Sequence, residues 1–356
     1  MSNFYNHMLR VKMKIVHTLP EEKWRHFVEE HPAGNIFHTP EMFQVFSRVK
    51  DFEPELWTVV DQEESILALM TPVHVRLFNL LFLSCLTTRS IVYGGVLCAP
   101  GEVGLDALEL LLRTYKQKIG YRSMFTEIRN VFPIGEMEPV LNRQGFLYQA
   151  HLNYLINLGC PPEAIFQNIG SRTRKHIRHS LNQGKVVIEE VTNEEQLSSC
   201  YRLLAQAYSR AKVPLADPAL FEAAFDLLYP IGMIRITLAK VGQAPAAVSM
   251  DLLYKDIIYG WYGGIDRSLC AYAPNEVLMW HILKWGAENG FCLYDFGGAG
   301  KPGEEYGVRD FKAKFGGNLV CYGRNIWAQN PFFLHLSKRG YEIFRRFGYK
   351  PYIFSN

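Results

Sequence analysis

The residues best suited to carry chemistry lie in one stretch, YDFGGAGKPGEEYGVRDFKAKFGG, at residues 294–317. Asp295 follows an apolar run there, and Lys312 stands beside the aromatic residue Phe311. A lysine near the end of a strand can stabilise the negative charge that develops on a carbonyl oxygen during acyl transfer. The alternative is an exposed or salt-bridged lysine, which is the usual state of this residue. Asp295 is a candidate to orient a substrate amine or, equally, to cap a loop amide.

The same stretch contains a literal G-x-G-x-x-G, formed by Gly298, Gly300 and Gly303. A dinucleotide site needs a helix that opens at this loop, so that the helix N-terminus meets the pyrophosphate. Pro302 and Gly307 lie where that helix would begin, and the lysine after Gly300 is followed by proline instead of Ser or Thr. The pattern therefore predicts a mobile surface loop that positions the aromatic residue and the lysine after it.

The segment 163–185 predicts one amphipathic helix with unbalanced positive charge. Its apolar face is formed by residues four apart, namely Ile165, Ile169, Thr173, Ile177 and Leu181. No acid occurs between residues 164 and 188. Arg172 and Lys175 are therefore candidates to contact phosphate groups or an RNA backbone. A solvated helix face is the equal alternative.

Familiar catalytic and metal motifs do not occur in the chain. Neither HExxH nor GxSxG is found, and His176 and His179 have no third metal ligand nearby. The cysteines number seven with no CxxC pair, a pattern that predicts free buried thiols in a reducing cytoplasm. An enzyme with this sequence is expected to bring two substrates together without a metal, a cofactor or a covalent intermediate.

Composition predicts a soluble globular protein of two domains. Hydrophobic residues make up 48% and charged residues 21% of the 356 residues, and the net charge is only +3. This mild charge excludes the strongly basic DNA-binding classes, yet permits an anionic substrate or a transient RNA contact. The most apolar run, residues 77–86, is shorter than the roughly 20 residues that span a bilayer. It predicts a buried strand pair and leaves a peripheral contact with the inner face of the membrane open.

An internal repeat indicates the fold class, α/β (α+β) with mixed sheets. Residues 56–128 and 233–296 share one order of elements: strand, tight turn, strand, strand ending in Tyr-Gly-Gly, helix, and a strand with one acid. The second helix is predicted at 275–290, with Asn275 as its N-cap and a glycine as its stop. The predicted domains are residues 13–155 and 156–330, followed by a C-terminal helix or tail at 331–356.

Several segments together resemble the FemABX family of peptidoglycan-branching aminoacyltransferases, a branch of the GNAT-like acyltransferases. They are RKHIRHSLNQGKVVIEEV, YSRAK, IIYGWYGGID, APNEVLMWHILKWGAENGFCLYDFGG and YGVRDFKAKFGG. The resemblance is strongest from about residue 165 to 325. NIFHTPEMF at 35–43 weakly resembles the opening motif of the family, with His38, Thr39 and Phe43 at its positions. The chain is also similar to acyltransferases of exopolysaccharide synthesis.

The resemblance implies two tandem GNAT-like acyltransferase domains with mixed central sheets and a substrate cleft. It implies that Lys312 stabilises the transition state of aminoacyl transfer and that Phe311 neighbours the acceptor end of the tRNA. Arg210 then contacts a phosphate of the cell-wall precursor. The aromatic strand is expected to line the cleft with Tyr259, Trp261 and Tyr262. The matching lysine of the first domain is not evident, since Phe46 and Ser47 occupy its region.

These implications favour transfer of an aminoacyl group from aminoacyl-tRNA to an amine of a peptidoglycan precursor. The alternative is an acyl-CoA-dependent N- or O-acyltransferase that acts on a polysaccharide or lipid. Against it, the nearest string to a CoA pyrophosphate turn, QNIGSR at 167–172, has arginine where Gly or Ala is needed. A non-catalytic RNA- or lipid-binding protein is the third possibility, and the basic segment 337–350 would suit it.

Overall fold

A computed structural model describes residues 12–76 and 88–329 of the chain. These residues divide into two compact units, one formed by 12–76, 88–150 and 322–329, and the other by 151–321. The strand pair predicted at 77–86, the tail predicted at 331–356 and the basic segment 337–350 lie outside the described residues.

The elements follow one another along the chain as strands and helices of mixed order. The strands are β1 (Lys14–Val16), β2 (Phe52–Pro54), β3 (Trp57–Val60), β4 (Ile66–Met70), β5 (Pro72–Arg76), β6 (Thr88–Tyr93), β7 (Leu97–Cys98), β8 (Phe125–Arg129), β9 (Leu147–Gln149), β10 (Leu152–Asn157), β11 (Val186–Glu190), β12 (Ile234–Val241), β13 (Ala244–Tyr254), β14 (Ile257–Ile265), β15 (Leu293–Gly298), β16 (Asn318–Cys321) and β17 (Arg324–Ala328). The helices are α1 (Glu21–Glu30), α2 (Pro40–Ser47), α3 (Gly101–Ile119), α4 (Met137–Arg143), α5 (Pro162–Asn168), α6 (Ser171–Gln183), α7 (Glu194–Ala211), α8 (Pro218–Leu228), α9 (Pro274–Glu288) and α10 (Gly307–Ala313).

The first unit contains two sheets around helix α3. One sheet has the strand order β1-β3-β4-β7 and the other β2-β5-β6-β8-β17-β9. Helix α3 buries Leu108, Leu111 and Tyr115 in the core of this unit, which removes a large apolar area from water. Strand β17 lies in the range 156–330 predicted for the second domain, yet it pairs with β8 and β9 of the first unit. Its Asn325 is fully buried there, so the strand completes that core.

The second unit is one seven-stranded sheet covered by helices on both faces. The strand order is β11-β12-β13-β14-β15-β10-β16. Helices α5 and α6 pack on α9, and their Ile165 and Ile177 join Leu278 and Ile282 of α9 in one core cluster. Helix α7 contacts β13 and β14, and its buried Leu204 lies against the backbone of β14.

The internal repeat predicted from the sequence is present in both units. In each unit, two strands that are joined by a helix form a parallel pair. These pairs are β6 with β8 in the first unit and β14 with β15 in the second. A parallel pair requires a crossover connection, and α3 and α9 supply it. The prediction of a mixed α/β fold is therefore confirmed.

The single helix predicted at 163–185 is wrong, because the structure has two helices there. α5 ends at Asn168, and α6 begins at Ser171 after Ile169 and Gly170 in extended conformation. The N–H of Gly170 donates to the carbonyl oxygen of Lys314 at 2.8 Å instead of to its own helix. The predicted helix stop at Gly184 is confirmed, since this residue adopts a left-handed φ of 63°.

The helix predicted at 275–290 starts one residue earlier than expected. Pro274 occupies its first turn, and Ala273, with a φ of 52°, stands at the N-cap in place of the expected Asn275. Proline has no N–H to lose and its fixed φ suits a first helical turn. The helix ends at Glu288, and the glycine stop follows at Gly290 with a φ of 82°.

The turn after α10 predicts a specific sensitivity to substitution. Gly317 has a φ of 97°, and a Cβ atom there would lie 2.3 Å from the carbonyl oxygen of Leu155. We expect Gly317→Ala to lower the free energy of unfolding by about 2–5 kcal/mol, because a left-handed residue costs about 1–2 kcal/mol and overpacking about 1–3 kcal/mol more. Urea denaturation monitored by circular dichroism measures this change.

Gly184→Ala is the matched control for this substitution. Gly184 is also left-handed, but no atom lies within 4 Å of the position of its Cβ. Only the conformational cost of about 1–2 kcal/mol is then expected. Equal destabilisation of the two variants would show that the approach to Leu155 imposes no constraint.

Candidate functional site

Strands β14 and β15 diverge, and this opens the sheet of the second unit at one end. Their parallel register runs from Ile257 and Leu293 to Tyr259 and Asp295. Beyond this point β14 continues along β13, where a bulge leaves Trp261 as the extra residue. A bulge bends its strand and increases the local twist. The last residues of β15 are therefore released from β14, and their backbone carbonyl groups become available to a side chain.

The side chain of Lys312, from helix α10, lies at the end of β15. It is almost completely buried, with 7% of the surface of the residue exposed. Its Nζ donates to the carbonyl oxygens of Phe296 at 2.6 Å and Gly298 at 2.8 Å, and lies 3.4 Å from that of Gly297. An ammonium group has three N–H donors, so the three carbonyls can engage all of them. The lysine is neither exposed nor paired with a carboxylate in the usual way.

Asp295 lies on the same strand and is also buried, with 3% exposed. Its Oδ1 accepts from the N–H of Gly297 at 2.7 Å and from Nδ2 of Asn153 at 3.3 Å. The predicted capping of a loop amide is therefore present. A site that binds an amine would have to share this carboxylate with the two groups that already donate to it.

Burial shifts the pKa values of Lys312 and Asp295 towards each other. The pKa of Lys312 is lowered to about 8, because desolvation disfavours the ammonium ion more than the charge of Asp295 favours it. The pKa of Asp295 is raised to about 6 by desolvation, against the opposing hydrogen bonds from Gly297 and Asn153 and the charge of Lys312. Groups shifted towards neutrality by burial and a charged neighbour are typical of functional sites.

The glycine-rich loop is held in place at its start, in contrast to the mobile loop that the sequence predicts. Ala299 is fully buried, and its N–H donates to the carbonyl oxygen of Leu152 at 2.6 Å. The N–H of Leu152 donates in return to Gly300 at 2.8 Å. The guanidinium of Arg309 in α10 donates to the carbonyl oxygens of Lys301 and Glu304. The loop is thus hydrogen-bonded to the first residue of β10 at its start and to the helix that carries Lys312 further on.

Phe311 packs at the edge of the core instead of pointing freely into solvent. Its ring meets that of Phe315 edge to face, with centroids 5.2 Å apart. The Nζ of Lys314 lies 5.6 Å from the centre of the Phe311 ring, a cation–π distance. The half-buried ring is therefore next to Lys312 in sequence but held by its own neighbours.

The three aromatic residues predicted to line a cleft do not all lie at the end of β15. Tyr259 lies at the divergence, where its hydroxyl is 3.2 Å from the position that a Cβ of Gly297 would take. Trp261 and Tyr262 pack instead against Phe221 of α8, with ring centroids 5.9 and 4.8 Å away. Of the three, Tyr259 is thus the one brought to the end of β15.

Arg210 lies in the last turn of α7 and is exposed. One of its Nη atoms donates to the carbonyl oxygen of Ile265, at the end of β14. Arg172 and Lys175 are both exposed on α6. None of the three cations contacts Lys312 or Asp295, so any phosphate they bind is separate from the buried pair.

A second buried acid lies in this unit and was not expected from the sequence motifs. Asp251 is 2% exposed, and its Oδ1 accepts from the hydroxyls of Tyr294 at 2.9 Å and Ser249 at 3.0 Å. Desolvation raises its pKa to about 6. The sequence signal that could have identified Asp251 is its position as the lone acid within the apolar strand AAVSMDLLY. Asn153 was missed because its partner is 142 residues away in sequence.

The segment that resembles an opening motif has structural contacts in the first unit. His38 is fully buried, and its Nε2 lies 3.1 Å from the carbonyl oxygen of Gly95. Thr39 caps helix α2 through the N–H of Met42. The ring of Phe43 meets Trp24 edge to face. These residues hold helix α2 and the Tyr-Gly-Gly turn together.

The acid of the repeat has a different environment in the first unit. Glu127 on β8 accepts from Arg129 and from Arg324, each at 2.7 Å. Burial alone would raise its pKa, but the charges of the two arginines outweigh it and lower the pKa to about 2. This carboxyl stays an anion at pH values far below neutral, whereas Asp295 takes up its proton near pH 6.

The described residues, 12–76 and 88–329, contain neither a metal-binding cluster nor a membrane-spanning helix. No group of three or more His, Cys, Asp or Glu side chains among them could hold a metal ion. None of their helices is long and apolar enough to cross a membrane. Of the cysteines in this part, Cys200 is buried, whereas Cys270 and Cys292 are exposed, so the prediction of uniformly buried thiols is wrong.

Comparison with known proteins places this site in a known type of domain. Residues 169–312 match the family model of the acetyltransferase (GNAT) domain, a range that includes Asp295 and Lys312. No curated protein matches the chain in sequence.

Solved structures share the fold at low sequence identity. FemX is 14% identical with a TM-score of 0.68, covering 91% of this chain and all of its own. L-PGS from Bacillus licheniformis is 13% identical with a TM-score of 0.56, covering 92% and 97%. A tandem GNAT protein from the clavulanic acid biosynthesis pathway is 10% identical with a TM-score of 0.58, covering 90% and 99%. Residues 169–312 therefore form a GNAT-type acetyltransferase domain, and the chain as a whole has the fold of FemX and of a tandem GNAT protein, in line with the two GNAT-like domains predicted from the sequence.

Proposed function

We propose that this chain transfers an aminoacyl group from aminoacyl-tRNA to an amine of a peptidoglycan precursor in the cytoplasm. The observation that carries the proposal is the buried ammonium group of Lys312 at the open end of β15, beside Asp295. Positive charge in a site without water stabilises a developing oxyanion far more than it would in solvent. The FemX-like fold and the sequence motifs support the choice of substrates.

The reaction needs only two substrates held together. The amine nitrogen attacks the ester carbonyl carbon, and the carbonyl oxygen becomes an oxyanion that accepts a hydrogen bond from Lys312. The C–O bond to the tRNA ribose then breaks, an amide forms, and the proton released by the amine ends on the departing ribose hydroxyl. The contact of Nζ with the carbonyl oxygen of Gly297, at 3.4 Å, is the longest of its three. The N–H of Lys312 that makes this contact is therefore the one available to turn towards the oxyanion.

The acceptor is expected to carry phosphate as well as an amine. Arg210 uses one Nη for the carbonyl of Ile265, and a guanidinium has five N–H donors in all. Its remaining donors can face a phosphate of the precursor. We propose this role for Arg210 on its exposure and on the resemblance of its segment.

An acyl-CoA donor is the second candidate, favoured by the match to an acetyltransferase domain. A helix N-terminus usually holds the pyrophosphate of such ligands through free N–H groups. α9 follows the diverging strand β14, but Pro274 in its first turn has no N–H and Glu276 adds negative charge there. Both features disfavour an anion at this helix end, so aminoacyl-tRNA remains the leading donor.

A donor panel tests the proposal directly. The purified protein is incubated with a peptide-stem acceptor and either a mixture of aminoacyl-tRNAs or acetyl-CoA, and the mass of the acceptor is then measured by mass spectrometry. We expect a gain of one amino-acid residue with the tRNA mixture and no gain with acetyl-CoA. An acetyl gain without any aminoacyl gain would replace the proposal with the acyl-CoA alternative.

Lys312→Met is expected to reduce kcat at least about 100-fold, as removal of a single oxyanion donor does in other enzymes. Lys284→Met, on the exposed face of α9, is the matched control and should keep wild-type turnover. Circular dichroism establishes whether each variant is folded. Lys312→Arg keeps a positive charge, so partial turnover in this variant separates loss of charge from loss of structure. Wild-type turnover in folded Lys312→Met would remove this residue from the mechanism.

The pH dependence of kcat/KM should report the buried lysine. The ammonium form of Lys312 is lost above its pKa of about 8, so the slope of log(kcat/KM) against pH should fall by one near pH 8. Because Asp295 raises the pKa of Lys312, Asp295→Asn should move this bend to lower pH. A bend that stays in place in Asp295→Asn would show that another group causes it.

A further inference from the structure

Helix α6 presents a row of basic residues that the chemistry at Lys312 does not use. Arg172, Lys175, His176 and His179 are all exposed, and their spacing of three and four residues places them along one side of the helix. The opposite side is buried through Thr173, Ile177 and Ser180. We call the four exposed residues the α6 basic face.

The α6 basic face has no carboxylate to balance its two permanent charges in the part of the chain that the structure describes. No Asp or Glu oxygen of residues 12–76 and 88–329 lies within 4 Å of Arg172 or Lys175, although other exposed cations do form ion pairs, such as Lys14 with Glu64. Arg174 differs, because its Nη1 donates to Ile169 and Gln167 at the end of α5. Arg174 therefore has a structural task, whereas Arg172 and Lys175 are available to a ligand.

The start of α6 is fixed next to the helix that carries Lys312. Gly170, the residue before α6, donates its N–H to the carbonyl oxygen of Lys314 at 2.8 Å. On the same turn, a Cβ at Gly316 would lie 2.6 Å from the carbonyl oxygen of Asn168. These two contacts place the start of α6 directly against the turn that follows α10. The basic face thus begins beside the end of α10 and runs away from it.

The dimensions and chemistry of this face select among anionic ligands. The α6 basic face runs from residue 172 to residue 179 of this helix, which is about 10 Å along the helix axis, so it suits successive phosphates of a chain better than a single pyrophosphate. A helix that binds a membrane surface carries large apolar residues on the side it inserts. Leu181 is the one large apolar side chain exposed on α6, so a phospholipid surface fits less well than RNA.

We propose that the α6 basic face binds the phosphodiester backbone of the RNA body of the donor, while its aminoacylated end reaches Lys312. This inference rests on the proposed function, since it names the surface that holds the proposed donor. Backbone contacts of this kind position a nucleic acid without reading its sequence. The face therefore accepts tRNA of any amino-acid identity.

Fluorescence anisotropy with uncharged tRNA tests the surface without requiring turnover. We expect the double variant Arg172→Gln/Lys175→Gln to bind tRNA about 10- to 100-fold more weakly than wild type near 0.1 M salt. The slope of log K against log[salt] should become shallower by about one for each phosphate that is no longer neutralised. Arg202→Gln is the matched control, because Arg202 is exposed on α7 and should leave the affinity unchanged.

Two further measurements separate this inference from the proposed function. With charged tRNA as donor, the double variant should show a drop in kcat/KM at least tenfold larger than with an aminoacyl ester of adenosine, which lacks the RNA body. If wild type binds tRNA through Arg172 and Lys175 but transfers no aminoacyl group, the surface stands and the proposed function fails. If the double variant binds tRNA as well as wild type, or if wild type binds only anionic phospholipid vesicles, the inference is overturned.

Discussion

The site depends on one interaction, the burial of the ammonium group of Lys312 among the backbone carbonyls that end β15. A charged amine is stable in such a place only because the carbonyl oxygens of Phe296 and Gly298 replace its water. Those carbonyls are available because β14 and β15 diverge after Tyr259 and Asp295. The topology of the sheet, the bulge in β14 and the turn after α10 all serve to create and fill this opening.

The two units show that one topology supports opposite electrostatics. Both units carry an acid on the second strand of a parallel pair, yet Glu127 is fixed as an anion by Arg129 and Arg324, whereas the cation beside Asp295 is a single buried lysine. Burial raises both carboxyl pKa values in principle, and the number of nearby cations decides the outcome. Two arginines lower the pKa of Glu127, and one buried lysine is too weak to do so for Asp295. Of these two acids, the one in the second unit is therefore the one that titrates near neutral pH.

Local patterns predicted much of this structure, and distant contacts account for what they missed. The order of strands and helices in the repeat follows from apolar periodicity and glycine stops, which depend on neighbouring residues alone. The break at Gly170 depends on a hydrogen bond to Lys314, far along the chain, and Asn153 reaches Asp295 across a similar separation. Likewise, β17 joins a sheet built from much earlier residues. No window along the sequence contains both members of such pairs.

The retention of Asp295 illustrates a conflict between stability and chemistry. Its pKa is about 6 in the fold and lower when unfolded, so its stabilising contribution is full below the unfolded pKa and is lost as the pH rises through 6. The carboxylate nevertheless raises the pKa of Lys312 and keeps more of it protonated. Ionisation of the buried acid therefore lowers stability at neutral pH, but it preserves the positive charge that the proposed acyl transfer requires.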